Sequence, residues 1–189
     1  LIDSRGWTWI GTDKDGLYSF DHNNRPVFHY KANFPSTILA LTEDDKGHIW
    51  IGSFREGCGW IDAASHSYHP QSLPQGNVVS VFDLEYDQRG NIWMATMGEG
   101  LLRLNISTGT VKAYITKENA VIDRKVNNII NNFVSQVSLS PDGQRIYLAT
   151  SMGLCCMDIA TENWTKVFGV NTLNYAVPTR VAKEYNNKI

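Results

Sequence analysis

Acidic side chains return in this sequence at regular intervals. Asp3, Asp44, Asp87 and Asp142 each stand just ahead of a glycine and, a few residues on, an aromatic side chain. Carboxylates can act as a general acid and base, but only when two of them converge on one reacting atom. A carboxylate that recurs before Gly is better suited to opening a turn, its oxygen accepting backbone N–H groups two residues on. We therefore expect all four at one turn position. The five histidines, His22, His29, His48, His66 and His69, show no metal-ligand spacing and are expected in solvated turns and outer strands. Cys58, Cys155 and Cys156 form no C-x-x-C pair, and adjacent strand residues face opposite sides, so all three read as small buried side chains. Their redox state is left open. No nucleophile with a base, no metal cluster and no cofactor motif emerges, so neither catalysis nor a cofactor is expected.

Residues better suited to binding than to catalysis lie in short loops. Phe54, Arg55 and Glu99 combine an aromatic face with charged hydrogen-bonding groups. The corresponding loops elsewhere are Asp13-Lys14-Asp15, Met97-Gly98-Glu99 and Ser151-Met152. A longer insertion, 117–132, contributes Arg124, Asn127, Asn128, Asn131 and Asn132 and is a candidate lid or interface. Its 124–133 portion could form a short helix, although its asparagines disfavour one. The candidate ligand-binding residues are Phe54, Arg55, Glu99, Arg124 and Asn131.

What must position these loops is a repeat. Asp3-Ser4-Arg5-Gly6-Trp7-Thr8-Trp9-Ile10-Gly11-Thr12 aligns with Asp44-Asp45-Lys46-Gly47-His48-Ile49-Trp50-Ile51-Gly52-Ser53 and with Asp87-Gln88-Arg89-Gly90-Asn91-Ile92-Trp93-Met94-Ala95-Thr96. A fourth copy, ending Ile146-Tyr147-Leu148-Ala149-Thr150, carries one extra residue in its turn. The aromatic positions lie 41, 43 and 54 residues apart, the last interval holding the insertion. The motifs occupy 3–21, 44–62, 87–105 and 141–158, with a truncated fifth from about 184. Each reads as four β-strands: an apolar run (38–41, 78–84, 134–139), the Trp-containing run, a run after Gly16, Gly57, Gly100 and Gly153, and a weaker outer run (26–30, 66–69, 111–115, 164–167). The first copy lacks most of its first strand.

Four short strands at a period near 43 residues predict an all-β chain of antiparallel β-propeller blades. We expect one domain over 1–189, about four blades forming an arc of a larger ring. Trp9, Trp50, Trp93 and Tyr147 are expected to pack between blades rather than touch ligand. Gly11, Gly52, Ala95 and Ala149 are expected to let a neighbour approach closely. Unpaired blade faces of an arc would be covered by further blades or by self-association. The absent initiator Met fits an excised segment. Composition narrows the function further: 17 Lys and Arg against 19 Asp and Glu leave no electrostatic footprint for nucleic acid. No apolar run approaches the roughly 20 residues that span a bilayer.

The consensus D-x-x-G-x-I-W-I-G-T followed by G-L and a closing Asp resembles the two-component regulator propeller repeat, over essentially the whole chain. Gly57-Cys58-Gly59-Trp60 and Tyr147 depart from that pattern. The resemblance implies a periplasmic sensor segment of a membrane-anchored hybrid two-component system, typical of bacteria that degrade complex glycans. Its parent would carry a membrane span, a histidine kinase, a receiver and a DNA-binding regulator controlling transcription. The implied partner is an oligosaccharide or related glycan fragment, met on the face built by the loops named above. Two rivals follow from other resemblances: a protein-interaction platform like WD-repeat propellers, and a sialidase-like glycosidase, since Asp3 to Trp9 is similar to an Asp-box. Only that copy has Thr before its Trp.

Overall fold

The computed structural model describes residues 1–62, 64–74, 76, 78–116, 129 and 131–169. Four antiparallel sheets follow one another along the chain. Blade 1 comprises β1 (Thr8–Gly11), β2 (Leu17–Phe20) and β3 (Pro26–Tyr30). Blade 2 comprises β4 (Ile38–Glu43), β5 (Ile49–Ser53), β6 (Cys58–Ile61) and β7 (Tyr68–Gln71). Blade 3 holds β8 (Val81–Tyr86), β9 (Asn91–Thr96), β10 (Leu101–Asn105) and β11 (Val111–Tyr114). Blade 4 holds β12 (Val134–Leu139), β13 (Arg145–Thr150), β14 (Gly153–Asp158) and β15 (Trp164–Gly169). Every sheet is a meander in sequence order, and the innermost strands β4, β8 and β12 pack side by side. In blade 1 the innermost place is taken by a single antiparallel bridge from Ile2 to Thr8.

The repeated turn between the first two strands of a blade explains its sequence. The buried carboxylates of Asp3, Asp44 and Asp87 are each only 5% exposed. One oxygen accepts the N–H groups two and four residues ahead, at 3.0 and 2.8 Å for Asp3, 2.9 and 2.9 Å for Asp44, and 2.9 and 3.0 Å for Asp87. The other oxygen accepts the indole N–H of Trp9, Trp50 or Trp93 at 2.9, 2.9 and 3.1 Å. A buried Trp needs a partner for its N–H, and the turn carboxylate supplies it. Asp142 does not share this position, contrary to the sequence expectation. The extra residue shifts the register, so Ser140 occupies it: its N–H donates to the Arg145 carbonyl, its carbonyl accepts Gly143 N–H, and it is 3% exposed. Asp142 stays exposed, bonded to Ser140 Oγ and Gln144 N–H. Tyr147 carries no indole, so this blade dispenses with the buried carboxylate.

Each Trp packs on the following blade. Trp9 joins Ile49, Ile51 and Ile61; Trp50 joins Val81, Leu84 and Met94; Trp93 joins Val137, Ile146 and Leu148. The position after the aromatic faces the preceding blade. Ile51, Met94 and Leu148 are fully buried there, whereas Ile10 is 46% exposed. Close approach also sets the small residues: a Cβ on Gly11 would lie 2.6 Å from Ile38 Cγ2, and one on Gly52 2.8 Å from Val81 Cγ1.

Two histidines depart from the solvated role expected of them. His66 leaves the outer strand for a turn, where its ring stacks on Trp7 of blade 1 at 5.7 Å and meets Phe28 at 4.3 Å. Burial in this stack, with Arg5 nearby, pushes its pKa down. His48 bonds Asp44 through Nδ1 and lies 4.4 Å from the Trp60 ring. Free Cys58, Cys155 and Cys156 are all buried. Val78 lies ahead of β8 rather than in it, because the 78–80 backbone turns to serve the neighbouring loop: the Val79 carbonyl accepts Gly57 N–H.

Candidate functional site

The loops joining the second and third strands of each blade are built alike. The second strand ends in, or in blade 1 is followed by, a hydroxyl residue, Thr12, Ser53, Thr96 or Thr150, which donates to the carbonyl of Gly16, Gly57, Gly100 or Gly153 at 2.7–2.8 Å. The glycine N–H then reaches the next blade, donating to Ser36, Val79 or Asn132 carbonyls at 2.8, 2.9 and 3.0 Å. Both ends of the loop are therefore fixed. The strand ends are thus held by backbone and hydroxyl bonds that do not depend on the identity of the residues between them.

The middle of three loops adopts left-handed backbone, at Lys14 (φ 69°), Arg55 (φ 60°) and Gly98 (φ 101°). Lys14 N–H donates to Thr37 Oγ1 at 3.2 Å, and Arg55 N–H to Ser80 Oγ at 3.0 Å. Thr37 and Ser80 stand just before β4 and β8, so each basic residue is anchored by the following blade. At the same end, β4, β8 and β12 each carry a bulge, at Ile38/Ala40, Val81/Asp83 and Val134/Gln136. Bulges re-aim side chains at strand ends. Leu39, at the first of them, is 38% exposed.

Between blades 2 and 3 this face opens a cleft of about 410 Å³, lined by Phe54, Arg55, Val78, Ser80 and Met97. Phe54, Val78 and Met97 are 43%, 70% and 50% exposed, which gives it an apolar floor. Phe54 and Arg55 thus come together, as candidates in one cleft. Glu99 lies two residues from Met97, half-buried and outside the lining. Asn131 is committed elsewhere: its Oδ1 accepts Phe133 N–H at 2.7 Å and Ser151 Oγ–H at 2.8 Å, bracing the entry to blade 4. Asn132 likewise exchanges two side-chain bonds with the Thr116 backbone at 2.8 Å. Arg124, Asn127, Asn128 and the truncated fifth motif lie outside the described residues. Sequence reasoning missed Val78, Ser80 and Met97. Met97 was accessible through the alignment, since it holds the loop position of Phe54.

On the opposite end, a polar cleft of about 450 Å³ lies between the turns of blades 3 and 4, with Glu85, Arg89 and Asp142 among its walls. Of its acidic groups, Asp87 and Asp142 are turn residues whose bonds are given above, and Glu85 lies within β8.

Comparison with known proteins places this geometry. Residues 34–55 match the two component regulator propeller family. No curated protein matches the chain. Among solved structures it is similar to the extracellular domain of the hybrid two component system BT4673 from B. thetaiotaomicron, at 20% identity and TM-score 0.71, over 94% of this chain and 22% of that one. It is similar to the extracellular domain of the hybrid two component system BT3049 from the same organism, at 18% identity and TM-score 0.68, over 86% of this chain and 22% of that one. Virginiamycin B lyase from Staphylococcus aureus shares the fold at 14% identity and TM-score 0.71, over 93% of this chain and 56% of the lyase. These likenesses establish a β-propeller fold. The chain spans about a fifth of the two extracellular domains, 22% of each.

Proposed function

We propose that this chain is a ligand-sensing segment of an extracytoplasmic propeller, periplasmic in its parent, belonging to a hybrid two-component system that detects an oligosaccharide and controls transcription through domains outside these residues. The observation that carries the reading is the regulator propeller repeat at 34–55, set within a fold shared with extracellular domains of such systems. The segment itself binds and transmits without catalysis. In support, the recurring carboxylates Asp3, Asp44 and Asp87 have both oxygens occupied by turn and indole donors. The uncovered Ile10 face favours a further blade, from the parent or a second copy, beside blade 1. Fold alone does not decide between binding and chemistry, since a lyase shares it.

The test is a calorimetric screen of oligosaccharides against the chain, with a parallel assay for release of reducing ends. Saccharide binding without turnover is expected, weakened about tenfold by Phe54→Ala as the ring stacking is lost. A second reading, a protein-interaction platform, is favoured by the exposure of Val78 and Met97 beside Phe54. Capture of a specific protein by the same cleft, with no saccharide bound, would replace the first reading with the second. Glycoside turnover would overturn the non-catalytic part.

A further inference from the structure

We infer that Lys14 and Arg55 form a cation pair spanning two blades, which selects an acidic saccharide by binding neighbouring carboxylate or sulfate groups along one chain. This deepens the sensor reading above and rests on it. The two residues hold the same left-handed position in successive loops, where blade 3 has Gly98. Left-handed backbone costs an ordinary residue roughly 1–2 kcal/mol that glycine is spared. In two blades a long basic side chain nevertheless occupies it. Thr37 brings the two loops together: its Oγ1 accepts Lys14 N–H at 3.2 Å and its carbonyl accepts Phe54 N–H at 3.0 Å.

Charge on this face is divided unevenly. Asp13 accepts Thr37 Oγ1–H at 3.1 Å, Asp15 is bound by Lys31 and the Tyr18 hydroxyl, and Glu56 accepts Ser36 N–H and Oγ–H at 3.0 and 2.9 Å. Three of the loop carboxylates are thus supplied with donors from within the fold. The Lys14 ammonium and the Arg55 guanidinium make no ion pair or side-chain hydrogen bond with any described residue. Arg55 also borders the apolar floor of Phe54, Val78 and Met97. A ligand that satisfies both features presents a C–H-rich ring face to Phe54 and anions to Arg55 and Lys14. A neutral sugar would use the floor and leave the guanidinium's donors to water.

The probes are tetragalacturonate, its fully methyl-esterified form and a heparin-derived sulfated tetrasaccharide, titrated calorimetrically into the full chain and into Lys14→Gln, Arg55→Gln, the double variant and Phe54→Ala. At least one acidic probe should bind at least about tenfold more tightly than the neutral ester, with each single Gln variant losing roughly tenfold and the double about a hundredfold. The salt dependence of binding should flatten in the double variant. Preference for the galacturonate assigns the carboxylate, and preference for the heparin fragment assigns the sulfate. Melting temperatures control for folding. Equal affinity for acid and ester, or acidic binding undiminished in the double variant, overturns the inference. A neutral oligosaccharide lost in Phe54→Ala but untouched by the double variant keeps the sensor reading and overturns only this one. No binding by any saccharide overturns both.

Discussion

The two ends of each blade use charge in opposite ways. At the turn end, Asp3, Asp44 and Asp87 are buried and spend both oxygens inside their own repeat. At the loop end, Lys14 and Arg55 have anchored backbones and side chains with no ion pair or side-chain hydrogen bond among the described residues. A buried carboxylate surrounded by fixed donors contributes to stability and offers nothing to a ligand. An exposed cation on a clamped loop contributes little to stability and remains available. The recurring residues are those with partners inside the blade, whereas one loop position holds Asp13, Phe54, Met97 and Ser151 in turn, of which the first three are exposed.

Substitution at the two ends should separate these roles. The largest effect is expected for Trp93→Ala, which removes a fully buried ring from the junction of blades 3 and 4 and should cost about 3–5 kcal/mol in chemical denaturation. Asp87→Ala follows, at about 2–4 kcal/mol, because the N–H groups of Arg89, Asn91 and Trp93 lose their acceptor together. A loss below 1 kcal/mol for both would break the turn-end half of the contrast. Blade 4 sharpens it. Tyr147→Trp introduces an indole with no carboxylate opposite, and should destabilise by roughly 1–3 kcal/mol. Adding Ser140→Asp should recover part of that loss, whereas Asp142→Asn, at the exposed neighbour, should not change it.

A smaller effect is expected from pH. Burial alone would raise the pKa of Asp3, but hydrogen bonds from Trp9, Arg5 and the Trp7 backbone and the charge of Arg5 outweigh it and hold the value below the ordinary one. The folded state therefore holds this proton less tightly than the unfolded state. The stabilisation is complete above the unfolded value, about pH 4, and is lost as pH falls through the lower folded value. Melting curves of wild type and Asp3→Asn should accordingly converge as the pH is lowered below 4. Curves that stay parallel to pH 2 would remove Asp3 from the acid response. Smallest of all, Lys14→Gln and Arg55→Gln should shift the melting temperature by no more than about 2 °C.

How far the sequence revealed this arrangement follows from how local each feature is. Strand positions were legible because Gly turns and apolar runs repeat at a fixed spacing, and the outer strand 26–30 matches β3 to the residue. Trp9, Trp50 and Trp93 were legible as packing residues for the same reason. Ser140 was not, because a visible Asp stands two residues beyond the position that matters. His66 was misjudged because its neighbours, Trp7 and Phe28, belong to another blade. The cleft was half legible: Phe54 and Arg55 are contiguous, but Val78 and Ser80 arrive from the connection into the next blade. Asn131 looked like a binding residue because a sequence does not show that its oxygen is already shared by Phe133 and Ser151.

The central claim is that stability resides at the turn end and recognition at the loop end. Its most direct test is a paired measurement of melting temperature and tetragalacturonate affinity on wild type, Asp87→Asn and the Lys14→Gln/Arg55→Gln double variant. The account predicts that Asp87→Asn melts several degrees lower while its folded fraction binds as wild type does, and that the double variant melts within about 2 °C of wild type while losing roughly a hundredfold in affinity. A double variant that binds unchanged, or an Asp87→Asn protein that melts normally yet loses binding, would contradict it.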